Sequence, residues 1–214
     1  MTAAAAAGLV SQQQEARAAY GAAAGAGGGG GAGGAEIAYK TFYGAAAPPA
    51  SYGGVGGTTK DKARYSLNYP STYPEDTVGK VDKGTKGIDC RFLGPSGEKI
   101  FVISLLNEGM DTQGFSLKDS QKALSSLTNS DTSVQDLVLS SKDQKEARRT
   151  VDGVEYLDFD ITSTSHLLVS ICLQEGRVFA IFISIPERIY ARNKDAYLKI
   201  QESFRSYALP TDRK

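Results

Sequence analysis

Apolar residues stand on both faces of the chain from His166 to Ile185, where HLLVSICLQ and RVFAIFISI flank Glu175-Gly176. A strand wetted on one side alternates apolar and polar residues, so two runs without alternation predict strands covered on both sides. A two-residue turn at Glu175-Gly176 sets the register: Leu173 faces Val178, Cys172 faces Phe179, Val169 faces Phe182 and Leu168 faces Ile183. One face then carries Leu167, Val169, Ile171, Leu173, Val178, Ala180 and Phe182. The other carries Leu168, Cys172, Phe179, Ile181, Ile183 and Ile185. Each face needs a cover, which predicts the middle of a sheet between helical layers.

The same patterning organises the rest of the chain. Residues 63–69 alternate as a first strand ending at Pro70, and 74–87 are charged and turn-rich. Residues 87–93 predict a strand with Ile88, Cys90 and Phe92 on one face, followed by a Gly-Pro-Ser-Gly turn and an apolar strand over Lys99–Leu106. Ser116 and Asp119 have the spacing of a capping box, opening a helix to Leu127 with Leu117, Leu124 and Leu127 on one stripe. Residues 134–139 read as a weak strand or irregular segment, and 142–149 as solvated charged surface. Asp152-Gly153 marks a hairpin between residues 147–151 and Val154–Thr162. Asn193, a good N-cap, opens a last helix to Tyr207 that buries Tyr197, Ile200, Phe204 and Tyr207. Short hairpin connections imply antiparallel pairing. The expected class is α+β, a mainly antiparallel sheet flanked by helices on both faces.

Composition separates the first 59 residues from the rest. They hold 15 of the 24 glycines and 19 alanines, with Glu15, Arg17, Glu36 and Lys40 as their charges, so little branched apolar mass is present to form a core. The expected organisation is a low-complexity arm over 1–59 and a domain over 60–214. Against that background Tyr20, Ile37, Tyr39, Phe42, Tyr43 and Tyr52 stand out as aromatic and apolar anchors for docking on a partner.

Lysine plus arginine equals aspartate plus glutamate, 24 of each, so no net basic field draws the chain to nucleic acid or anionic lipid. No apolar run approaches the roughly 18 residues of a membrane span, so no direct insertion is expected. MTAAAAAGLV is too short and too weakly apolar for a signal core. Cys90 and Cys172 permit one disulfide, show no metal-type spacing, and both fall in apolar strands where buried thiols are common.

The order GVEYLDFDITSTSHLLVSICLQEGRVFAIFISIPERIY, then YLKIQESFRSY, resembles the C-terminal half of the PsbP family, lumenal extrinsic proteins of the photosynthetic apparatus. Tyr65-Ser66-Leu67-Asn68-Tyr69-Pro70-Ser71 is similar to that family's first strand, and the resemblance covers residues 60–209. It implies a helix–sheet–helix sandwich and a non-catalytic subunit that stabilises the oxygen-evolving complex of photosystem II and its inorganic cofactor ions. The implied place is the chloroplast thylakoid lumen, peripheral to the membrane. Photosystem membrane subunits and other extrinsic subunits would be its partners. Photosystem I association, an assembly role or a lumenal small-ligand-binding module are the alternatives. A lumenal protein needs plastid-targeting sequence, which is absent here, so a processed, trimmed or wrongly assigned start is expected.

His166 is the only histidine, so any metal or acid–base chemistry passes through it. The register puts it opposite Ile185, within reach of Glu187. The resemblance implies that this pair matches the family's cation-ligating histidine and aspartate, giving a weak divalent-cation site for calcium or manganese. One histidine and one carboxylate are too few for a tight site. Tyr190 stands where the family's charged turn usually has a tryptophan, and reads either as a cover for the sheet edge or as a docking anchor beside the small basic patch that Arg188 and Arg192 offer a partner. Cys172 and His166 lie six residues apart on one strand, about 20 Å by strand rise, so they cannot form a dyad. No Gly-x-Ser-x-Gly elbow exists, and the glycine run at 27–31 lacks the strand, helix and lysine of a phosphate loop. Enzymatic activity is not expected.

Overall fold

A computed structural model of the chain describes residues 37–46, 57–107 and 114–209. Its strands are β1 (Tyr39–Gly44), β2 (Tyr65–Pro70), β3 (Glu75–Asp76), β4 (Ile88–Leu93), β5 (Lys99–Leu106), β6 (Asp143–Val151), β7 (Val154–Thr162), β8 (Ser165–Gln174), β9 (Arg177–Pro186) and β10 (Arg205–Ser206). The helices are α1 (Lys80–Thr85), α2 (Ser120–Thr128), α3 (Thr132–Leu139) and α4 (Glu187–Ser203). Seven strands form one sheet in the order β3-β4-β5-β9-β8-β7-β6, every pairing antiparallel. The class is α+β, as expected.

The β8–β9 register matches the sequence expectation pair by pair, from Leu173↔Val178 to His166↔Ile185. Glu175 and Gly176 both take positive φ, 48° and 68°, the mirror-image turn whose twist suits a two-residue hairpin. Asp152 and Gly153, at 52° and 80°, do the same between β6 and β7. Two apolar layers result. Val169, Ile171, Ala180 and Phe182 pack with Ala123, Leu124 and Leu127 of α2 and Val134 and Leu137 of α3. On the other face Leu168, Phe179, Ile181 and Ile183 pack with Tyr197, Ile200 and Phe204.

That second face has an additional cover. β1, β2 and β10 form a three-stranded sheet in the order β1-β2-β10, carrying Phe42, Tyr65 and Leu67 into the same core. β1 falls inside the stretch expected to be a coreless arm. Phe42 is buried and meets the Phe92 ring edge-on at 5.3 Å, so the boundary expected at residue 60 is displaced toward the N-terminus. The compact unit that holds all the described residues is Gly34–Lys214.

Four local expectations are corrected. Residues 134–139 are helical: Asp131 caps α3 by accepting from the Ser133 and Val134 amides, at 3.0 and 3.3 Å, and Val134 and Leu137 share its inner face. The cap of α2 is Asp119, which accepts from the Lys122 amide at 3.1 Å, so Ser116 lies outside the helix. The β4 register shifts between Ile88 and Cys90, which turns Ile88 toward α2 and α3 and Cys90 and Phe92 toward α4. Asn193 is a kink within α4 (φ −131°, ψ 27°), the helix starts at Glu187 and ends at Ser203, and residues 205–206 join β2 as β10. The charged stretch 142–149 faces solvent as expected, and most of it forms the exposed edge strand β6, whose charges discourage edge-to-edge pairing.

α4 is keyed to the sheet by polar contacts as well as by its apolar stripe. The Gln201 side-chain amide donates to the Phe159 and Val169 carbonyls at 3.1 and 2.8 Å, inside an otherwise apolar layer. Such a buried donor is satisfied at one helix rotation, which sets where the first turn of α4 meets the end of β8.

Candidate functional site

That junction holds His166. It begins the covered part of β8 and is 4% exposed, while Pro186 ends β9 and releases the chain into α4 with Glu187 as its first residue. The His166 Nδ1 lies 3.1 Å from the Glu187 carboxylate, the pairing expected from the register. Its Nε2 lies 2.6 Å from Asp160 Oδ1, a contact not foreseen from the sequence. Tyr190, one helical turn into α4, stacks on the imidazole with ring centres 3.4 Å apart and 12° between planes. Its hydroxyl donates to Asp160 Oδ2 at 3.5 Å.

Asp160 was legible in principle. The β7–β8 connection pairs Thr162 with His166, so Asp160, two residues earlier on the same face, is the diagonal cross-strand neighbour. Burial, the Asp160 charge and the hydrogen bond to it all push the Tyr190 phenol well above its ordinary range, so it remains a neutral donor.

A carboxylate oxygen is an acceptor only, and one stands at each ring nitrogen. Glu187 stands at Nδ1 and Asp160 at Nε2, so both ring nitrogens of His166 already have carboxylate partners in the cluster. Among the described residues no group of three or more His, Cys, Asp or Glu side chains converges in a way that could hold a metal ion. The arrangement instead ties β7, β8 and the start of α4 together. Asp160→Ala should cost about 1.5–3 kcal/mol, the range for hydrogen bonds to charged groups. Glu187 is 46% exposed, and removing it should cost under about 1 kcal/mol. Urea denaturation of the two variants checks this order, and equal losses would overturn it.

The remaining candidates are dispersed. Arg188 and Arg192 face solvent on α4. Tyr190 is buried against His166 and Phe42 is core, so neither offers a docking surface. Tyr39 donates its hydroxyl to the Ala196 carbonyl at 3.2 Å, which fastens β1 to α4. Ile37 is half-buried, and half-buried Tyr43 lines a surface groove of about 470 Å³ with Thr41, Thr58 and Lys62. Tyr20 and Tyr52 lie outside the described residues. Cys90 and Cys172 are free and buried. Burial raises the Cys172 thiol to about 12 and the Cys90 thiol well above its usual value, so neither is a thiolate nucleophile. Ser163 pairs with Ser140, hydroxyl to hydroxyl at 2.7 Å.

No family model matches the chain. It is 32% identical over 175 residues to the chloroplastic thylakoid lumenal 19 kDa protein of Arabidopsis thaliana, a match spanning 78% of this chain and 73% of that one. The solution structure of cyanobacterial PsbP from Synechocystis is similar with a TM-score of 0.49 at 19% identity, covering 83% of this chain and 98% of that one. A Pseudomonas aeruginosa protein of unknown function is similar with a TM-score of 0.35 at 10% identity, covering 68% and 92%.

Proposed function

The chain belongs to the PsbP family and is a chloroplast thylakoid lumenal protein peripheral to the membrane, and on that premise we propose that it is a non-catalytic extrinsic subunit on the lumenal side of a photosystem. No helix among the described residues is long and apolar enough to cross a membrane, so a membrane complex would be reached through protein contacts. The observation that carries this reading is the covering of both faces of the central sheet. Val169 and Phe182 on one face and Leu168 and Phe179 on the other are fully buried, with α4 packed directly on the second layer. Direct packing of α4 on this layer favours binding at the rim. There Arg188 and Arg192 are exposed one turn apart, beside a junction braced by His166, Asp160 and Tyr190. The photosystem II oxygen-evolving complex is the complex we assign. Docking of this kind would slow exchange of its inorganic cofactor ions with water. Buried thiols and a histidine tied at both nitrogens support the non-catalytic part of the reading.

The test is to immobilise the full chain, apply detergent-solubilised thylakoids and identify the retained subunits. Photosystem II core subunits should be enriched, with at least a tenfold loss for Arg188→Glu/Arg192→Glu. Enrichment of photosystem I or assembly intermediates would move the assignment within the family, and enrichment of no photosystem subunit would overturn it.

A further inference from the structure

A second cluster lies at the other end of β8 and β9, where three cations meet two carboxylates. Arg64, just ahead of β2, donates its Nε to the Tyr207 carbonyl at 3.3 Å and meets Glu175 at 3.4 Å. Lys83 of α1 stands 3.8 Å from Asp89, whose other oxygen accepts from the Tyr65 hydroxyl at 2.6 Å. Arg177 opens β9 and donates to the Ser104 hydroxyl at 3.0 Å. It forms no ion pair among the described residues, although Arg64 and Asp89 are both close enough to act on its charge. Arg64 stands over the Phe179 ring, 6.0 Å from its centre, and Phe179 is two residues along β9 from Arg177 on the same face.

Among the described residues Glu175 answers Arg64 and Asp89 answers Lys83, which leaves Arg177 in surplus. Partial burial and the like charge of Arg64 both disfavour its cationic form, whereas Asp89 favours it. A half-buried cation beside another cation is costly unless an anion joins it. The surplus is one positive charge, and a guanidinium presents a planar fork of donors that matches a carboxylate with two parallel hydrogen bonds. A dianion would overshoot the charge and lacks that planar match.

We propose that Arg177, with Arg64 and Ser104 beside it, is a binding site for a carboxylate, supplied by a small organic acid or by an acidic residue of a partner. The site is remote from the His166 junction and does not rest on the photosystem assignment.

The test compares melting of the full chain in sodium acetate and in sodium chloride at equal ionic strength. It adds titration with a short glutamate-containing peptide and its glutamine analogue. Acetate should raise the melting temperature relative to chloride, and Arg177→Gln should abolish the difference. Arg177→Lys, which keeps the charge and loses the fork, should weaken binding about tenfold, one bidentate contact's share of affinity. It also serves as the readout if Arg177→Gln does not fold. A preference of at least tenfold for the glutamate peptide, lost in either variant, assigns the site to a partner carboxylate; an acetate response without that preference assigns it to a free acid. If acetate and chloride act alike on the wild-type chain and the two peptides bind equally, the site does not exist.

Discussion

A chain shortened to residues 60–214 should melt at least about 10 °C below one shortened to residues 37–214, at about 2–4 °C per kcal/mol for a domain of this size. The difference is β1. Its six residues pair with the whole of β2, from Tyr39↔Pro70 to Gly44↔Tyr65, and its Phe42 is buried between Tyr65 and Phe92. Losing a buried phenylalanine alone costs about 3–5 kcal/mol. Removal also bares Tyr65, Leu67 and Phe92, each fully buried with β1 in place, and leaves β2 with an unpaired edge. The sum is on the order of 5 kcal/mol or more, comparable with the whole stability of many domains. Calorimetry of the two truncations decides the matter, and melting points within about 2 °C would sink the idea. The consequence for function is direct. Loss of complex binding on deleting residues 1–59 would report unfolding rather than the loss of a docking arm.

The central hairpin was legible because its information is local. Period, turn chemistry and burial all agree between His166 and Ile185, and a two-residue turn admits one register. β1 was not, because its neighbours are alanine and glycine and its partner strand lies 21 or more residues away in sequence. The tie that joins it to the core is Phe42, one aromatic in a stretch whose average composition signals disorder. α3 was missed for a different reason. Val134, Leu137 and Val138 fit both a short strand and two helical turns, and what decides is Asp131, a cap that satisfies two orphan amides.

The site divides in the same way. His166 and Glu187 follow from the β8–β9 register and were brought together as expected. Asp160 required the β7–β8 register as well, and Tyr190 required the position at which α4 begins. The sequence placed that start at Asn193, six residues too late, which would have left Tyr190 in a loop free to meet a partner. Starting the helix at Glu187 instead turns Tyr190 inward over the imidazole. A residue read as a docking anchor thereby becomes part of the brace, and the neighbouring arginines keep the surface.

Gly44→Val should destabilise the protein by about 3 kcal/mol or more, in the upper part of the range for overpacked cores. Strand propensity alone argues the opposite sign, since glycine within a strand costs about 0.5–1 kcal/mol relative to alanine. Gly44 has no left-handed backbone to defend, so the outcome rests on space. A Cβ there would stand 2.0 Å from Tyr65 Cζ and 2.4 Å from its hydroxyl oxygen. A flexible surface ring would swing away, but Tyr65 is fully buried, hydrogen-bonded to Asp89 and packed against Phe42, Phe179 and Phe204. Moving it breaks the hydrogen bond of a buried carboxylate and disturbs three aromatic contacts. Gly79, where an added Cβ meets nothing within 4 Å, is the matched control, and its change to alanine should stay within about 0.5 kcal/mol. In a Tyr65→Leu background Gly44→Val should lose most of its cost, because the obstructing ring is gone. Urea titration of the four chains measures the coupling, and a Gly44→Val penalty of the same size in both backgrounds would falsify the steric account.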